Sequence, residues 1–293
     1  MSHNPAVSKW IARPSRRGKT KLANGRSLGW AEWGDERGRP VLLFPGAGTS
    51  ASLGFGVEIL ERLEVRLIGV DRPGLGLSDP APGRTLLDWA QDIAGLIEVR
   101  ALGSTPAVGF SQGAPFALAC GAAGVVRAVA IVSGTDELAA PELRERLPAE
   151  LRMLIDRIAA EPEAAELSLR AMNPEAMWRM VVDGSSPEDR RVYREAGFAR
   201  AYRRALDEGF SRNADGYARD TVLAMSRWPF DLASMTTRVD LWYGAHDASV
   251  VHSPDFGESL ARRIPNAHRT LVPDAGGALL WTHATAILTS VLS

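Results

Sequence analysis

The sequence is poor in the groups that announce metal, disulfide or nucleic-acid chemistry. Among 293 residues there is one cysteine, Cys120, so no internal disulfide can form. No cysteine–histidine cluster has zinc-site spacing, and a buried structural thiol is the expected role of Cys120. Lysine stops early: Lys9, Lys19 and Lys21 are the only ones, and arginine carries the positive charge elsewhere. The formal net charge is -1, which gives no electrostatic case for nucleic acid or an anionic membrane as partner. No apolar run is long enough to span a bilayer, and the N-terminus lacks the apolar stretch of a signal peptide. A cytoplasmic protein acting on a small molecule is the expectation.

What is present suits one large core with room for a smaller unit. Residues 1 to about 17 read as a polar, arginine-rich arm. Asn24-Gly25 then marks a two-residue hairpin turn between Lys19–Leu22 and Ser27–Trp33. Apolar runs at 41–44, 65–70, 106–110 and 125–132 read as strands buried on both faces. Helices are expected between them at 53–63, at 85–102 with Thr85 as N-cap, and after position 114. From 137 to 231 the strand signal stops, and helical spacing with prolines at 148, 162, 174 and 187 takes over. Strands resume at 239–243 and 269–272, with helices expected at 253–264 and from 278 to the end. The fold class is therefore α/β, a mostly parallel twisted sheet with helices on both faces. Residues 1–136 and 232–293 form its core, and an inserted helical cap covers 137–231.

The chemistry concentrates at Gly109-Phe110-Ser111-Gln112-Gly113, between a strand and a helix-forming run. In that context G-x-S-x-G is a nucleophile elbow: a serine on a strained turn, with glycines where a Cβ would clash. The helix behind it offers free N–H groups to a developing anion. A serine hydroxyl needs a base, a group to orient the base, and oxyanion donors. In a parallel sheet these should lie at the carboxyl ends of strands. The loop at Ala47, the loop at Asp247 and the loop 274–277 each occupy such an end.

The chain resembles the α/β-hydrolase superfamily over nearly its whole length. The resemblance rests on P-G-A-G at 45–48, D-R-P-G-L-G-L-S-D at 71–79, G-F-S-Q-G at 109–113, Y-G-A-H-D at 243–247 and D-A-G-G-A-L-L-W-T-H at 274–283. It implies a serine hydrolase cleaving an ester, lactone or similar acyl bond of a small apolar substrate, with no cofactor. Ser111 would be the nucleophile and Asp247 the orienting acid. The N–H groups of Ala47 and Gln112 would hold the oxyanion. Phe110, Met172, Trp178 and Met225 are candidates for the substrate pocket.

Two departures stand out. The first loop opens Pro45-Gly46 where the superfamily has His-Gly. More seriously, Gly277 occupies the position of the catalytic histidine. Of the five histidines, His283 lies two turns into the last helix. His246 should point away from the site, His268 belongs to the far end of a strand, and His3 to the arm. His252, beyond the acid loop, ranks first as a substitute. Three readings stay open: a hydrolase inactivated by a His-to-Gly change, an enzyme with a different base, and a non-hydrolytic fold-mate such as a lyase, cyclase or small-molecule receptor.

Overall fold

The computed structural model describes residues 10–293; most of the expected arm, His3 included, lies outside them. The strands are β1 (Arg16–Lys21), β2 (Ser27–Trp33), β3 (Arg39–Phe44), β4 (Val65–Val70), β5 (Ala107–Phe110), β6 (Ala128–Val132), β7 (Arg238–Gly244) and β8 (Ala267–Val272). They form one sheet in the order β1-β2-β4-β3-β5-β6-β7-β8. β2 is antiparallel to both β1 and β4, and every other pairing is parallel. Arg16 and Arg17 thus belong to a strand, not to the arm. The hairpin closes with three loop residues instead of two: Leu22 N–H donates to Arg26 O, and Gly25 alone takes the left-handed conformation, φ +85°.

Alternation along each strand builds the core on both faces. Val41, Leu43, Ala128, Ala130 and Val132 face one cluster, which also takes in α10 (Leu279–Thr282) and α11 (Ala284–Leu292). Leu42, Phe44, Val129 and Ile131 face the other, against α1 (Leu86–Val99), α2 (Ala114–Ala122) and α9 (Glu258–Arg263). Thr85 caps α1 in a reciprocal capping box with Asp88. Cys120 is buried in α2, where burial raises its pKa well above the ordinary thiol range.

Between β6 and β7 come a 3-10 stretch at Pro141–Arg146 and six helices: α3 (Ala149–Ala160), α4 (Pro162–Leu169), α5 (Pro174–Asp183), α6 (Pro187–Tyr193), α7 (Ala196–Gly209) and α8 (Asp215–Met225). The prolines here start helices. Pro162, Pro174 and Pro187 sit in first turns, where their missing N–H costs nothing. Asn173 and Ser186 cap α5 and α6. This segment divides by its packing. Leu138, Ile155, Ile158, Val222 and Met225 share a separate cluster, whereas residues of α5–α7 join the sheet-side core.

Three expected helices differ from those observed. Residues 57–64 form successive turns, because Gly54 and Gly56 interrupt the preceding segment and Gly54 packs on Trp33 and accepts the Trp281 indole N–H at 3.0 Å. The helix expected from 253 begins only at Glu258, after Phe256 and Gly257 both take positive φ. The last helix breaks at His283 into α10 and α11. Among the described residues no helix is long and apolar enough to cross a membrane.

Candidate active site

Ser111 follows β5 directly, at the centre of the sheet's carboxyl edge. Its φ is +50°, a strained conformation for a residue with a Cβ. The two flanking glycines make the turn possible. A Cβ on Gly113 would collide with the Phe44 carbonyl oxygen, and one on Gly109 would lie 2.8 Å from both Ala117 Cβ and Gly113 O.

Asp247 follows β7. Its Oδ1 accepts the Ser249 N–H at 3.0 Å, and the His252 N–H reaches back to Ser249 O at 3.2 Å. These two bonds fold the chain so that His252 returns to the carboxylate five residues before it. His252 Nδ1 lies 2.7 Å from Asp247 Oδ2, and Nε2 lies 2.9 Å from Ser111 Oγ. An ionised carboxylate can only accept, so Nδ1 carries its proton and Nε2 is left free to accept from Ser111. The His252 and Asp247 side chains are both nearly buried, at 9% and 4% exposure, which strengthens the hydrogen bonds between them.

Gly277, where the resemblance leaves a histidine missing, lies against the same carboxylate and lines the same cavity. A Cβ at Gly277 would come 2.8 Å from Asp247 Oδ1. Its N–H, and that of Ala278, donate to the two carboxylate oxygens of Asp189 at 2.7 and 2.8 Å. Asp189 also takes the Ser186 hydroxyl at 2.9 Å, and burial raises its pKa, helped by the charge of Asp247. Among the described residues the other three histidines make no hydrogen bond to Ser111. His246 and His268 are exposed, and His283 pairs with the Thr282 hydroxyl between α10 and α11.

The turn carrying His252 is held from below. Ser253 N–H donates to Gly134 O at 3.0 Å, and Ser253 Oγ lies 2.8 Å from Asp136 Oδ2 and 2.9 Å from Asp255 Oδ1. One hydroxyl hydrogen cannot serve two carboxylates. Burial pushes the Asp136 pKa up to about 6, while hydroxyl and N–H donors keep Asp255 below the usual carboxylate range despite its burial, so Asp136 is the first of the two to take up a proton as the pH falls.

Arg72, fully buried, ties three pieces of the edge together. Its guanidinium donates to Pro45 O at 2.5 Å, Gly46 O at 3.0 Å and Asp220 of α8 at 2.5 Å. Gln112 anchors the same region through its side-chain amide to the Thr221 hydroxyl at 3.0 Å. The loop at 45–48 and the elbow are thereby held in fixed relation to α8.

A cavity of about 160 Å³ opens on Ser111, Asp247 and His252. Phe110, Gly46 and Ala47 line it from the sheet side. Along α5 and its end, Met177, Met180, Val181 and Gly184 line it at the i, i+3, i+4, i+7 spacing of one helical face. Three expected pocket residues are not on that wall. Trp178 is one position round the helix and packs on Tyr202 and under Arg203. Met172 precedes α5 and packs against the core from its edge. Met225 belongs to the separate cluster of α3 and α8. Tyr193, Tyr202, Val250 and Val251 line the cavity instead. A helical-wheel count from Met177 finds the α5 wall; nothing local in the sequence finds the tyrosines. Among the described residues no group of three His, Cys, Asp or Glu side chains is arranged to hold a metal.

A serine presented on a strand–turn–helix elbow at the edge of a parallel sheet, with an imidazole and a carboxylate in line behind it, defines a class of α/β fold. The model of the Alpha/beta hydrolase family matches residues 41–288, and the chain belongs to that family. No curated protein matches the sequence. Solved structures do. An esterase from Thermogutta terrifontis is 21% identical with a TM-score of 0.65, over 95% of this chain and 97% of that one. An enol-lactonase from Burkholderia xenovorans is 20% identical with a TM-score of 0.66, over 94% and 98%. A bromoperoxidase from Bacillus anthracis is 20% identical with a TM-score of 0.67, again over 94% and 98%. These likenesses establish the α/β-hydrolase fold.

Proposed function

We propose that this protein is a serine hydrolase of small, mainly apolar esters or lactones, with Ser111 as nucleophile, His252 as base and Asp247 as orienting acid. The observation that carries the proposal is the relay of 2.9 and 2.7 Å from Ser111 through His252 to Asp247. Ser111 Oγ attacks the acyl carbonyl while its proton passes to His252 Nε2. The carbonyl oxygen becomes an oxyanion, taken by the N–H groups of Ala47, in the loop after β3, and Gln112, in the turn before α2. As the tetrahedral intermediate collapses, His252 returns the proton to the leaving alkoxide and an acyl-serine remains. Water, deprotonated by His252, attacks that ester, and the acid leaves with Ser111 restored.

The α3–α8 segment acts as a cap, its α5 face closing the cavity over the nucleophile. The volume, about 160 Å³, matches the roughly 150 Å³ of an apolar site known to hold benzene. Short acyl or single-ring groups therefore fit. The enol-lactonase and esterase of the same fold are consistent with this substrate class. A fluorophosphonate probe is expected to label the protein at Ser111, and p-nitrophenyl acetate to be cleaved. Loss of both in Ser111→Ala is the expected result; turnover that persists in that variant would remove the nucleophile assignment.

A further inference from the structure

The cavity has one polar feature that the proposed triad does not use. Tyr193, at the end of α6, and Tyr202, in α7, face each other with ring centroids 5.9 Å apart. Their rings pack on further aromatics: Tyr193 on Trp281 at 6.0 Å and Phe198 at 5.7 Å, Tyr202 on Trp178 at 5.8 Å. Only 4% of Tyr193 and 5% of Tyr202 is exposed. Among the described residues neither hydroxyl meets a hydrogen-bond partner. Neither oxygen, however, is sealed in the interior. Both residues line the cavity that holds Ser111 and His252.

A buried phenol normally satisfies its hydroxyl, because leaving the donor unpaired forfeits the hydrogen bond it had with water. Two such donors, on rings too tightly packed to swing elsewhere, point to a partner that arrives with the substrate. Burial holds both phenols protonated, with the charges of Asp189 and Asp247 adding to the effect at Tyr193. They can therefore donate at any working pH and do not act as bases. Asp189, on the same wall, is already taken by Gly277, Ala278 and Ser186.

We infer that Tyr193 and Tyr202 form a recognition site for an oxygen acceptor, a keto or ether oxygen, on the apolar group that the cavity holds. The inference names the substrate class of the proposed hydrolase and rests on that reading for where the reacting carbonyl sits. Specificity then follows from hydrogen bonding: a hydrocarbon of the same shape leaves two donors unpaired.

The test needs no turnover. Binding of acetophenone and of α-methylstyrene, which replaces C=O by C=CH₂, is measured by calorimetry on the wild type, Tyr193→Phe, Tyr202→Phe and the double variant. The preference for the ketone is expected to fall about tenfold in either single variant, the worth of one good hydrogen bond, and further in the double. Phenylalanine keeps the ring contacts, and thermal unfolding of each variant checks that it folds; either single variant suffices. An unchanged preference in the variants, or no binding of either ligand to the wild type, overturns the inference. A ketone held only by the N–H groups beside Ser111 would give that unchanged preference. p-Nitrophenyl acetate turnover of the same preparations reports on the hydrolase reading separately, since ketone binding requires no acyl transfer.

Discussion

The loop after β7 and the loop after β8 lie against each other, the His246 N–H donating to Ala275 O at 2.9 Å, yet they are built for different work. The β7 loop carries Asp247 and, five residues on, the His252 imidazole that reaches Ser111. The β8 loop brings no side chain to that relay; its Gly277 and Ala278 N–H groups are taken up by Asp189 of α6. Each loop is anchored by a buried carboxyl group of raised pKa, Asp136 under the first and Asp189 over the second. On the proposed reading, the position of the base is set by reach, not by strand of origin. An imidazole can come from any loop that brings it between the carboxylate and the hydroxyl. With His252 reaching in from the β7 loop, a Cβ at the β8 position would press on Asp247.

The largest test of the contrast is removal of the base. His252→Ala should lower kcat on p-nitrophenyl esters by about a millionfold, the cost of losing the histidine from a serine triad. Asp247→Asn should cost about ten-thousandfold by favouring the wrong tautomer. His246→Ala and His283→Ala should leave kcat within a few fold. Comparable losses in either of those two would break the comparison, because then the base would not belong to the β7 loop.

Next in size is Gly277→His, the change that the family resemblance asks for. It should slow the enzyme, not restore it. The new Cβ would stand 2.8 Å from Asp247 Oδ1 and 3.0 Å from Oδ2, so the carboxylate must move away from His252. Misplacement of about 1 Å in such a relay can cost about a hundredfold. Gly277→Ala should show a loss in the same direction, and Gly277→His should not rescue His252→Ala. Rescue in that double variant would mean that the β8 loop can still carry the base.

Much of this was legible in the sequence, and the rest failed for identifiable physical reasons. Buried strands, the elbow and the helical run could be read because period and glycine placement are local properties. The Ser111 turn is an example: its two glycines are required by contacts within a few residues and with β3. His252 was harder. Its approach depends on the Asp247–Ser249–His252 turn, whose backbone bonds leave only a short Asp and Ser as their mark. The resemblance drew attention to position 277 and away from the turn after β7. Tyr193 and Tyr202 come from different helices, and only the packing of α6 on α7 brings them to one wall. Trp178 illustrates the opposite error, since an aromatic residue beside the cavity wall is turned one position away from it.

The smallest expected effects compare the two anchors directly, through Asp136→Asn and Asp189→Asn. Asp136 has a folded pKa of about 6, above the ordinary aspartate value of about 4. The folded wild type therefore binds more protons than the unfolded chain between these values, and its stability contribution falls as pH rises through that window. Asparagine removes the titration. Relative to wild type, Asp136→Asn should thus gain about 1.4 kcal/mol for each pH unit from about 4 to about 6 and then level off. Asp255, Glu137, Arg263 and Tyr243 also face this carboxyl, so the difference curve, not either curve alone, isolates it. Asp189→Asn should show the same sign, since burial raises that pKa too. It also carries a pH-independent loss of about 1–3 kcal/mol, because Gly277 and Ala278 donate to different carboxylate oxygens and in the amide one of these becomes an NH2 donor. The catalytic signatures should differ. Asp136→Asn, acting through Ser253 on the base, should move kcat, whereas Asp189→Asn, on the cavity wall, should move KM. Urea unfolding at stepped pH and kinetics on the same variants measure both, and identical kcat–KM patterns would remove the division of labour between the two loops.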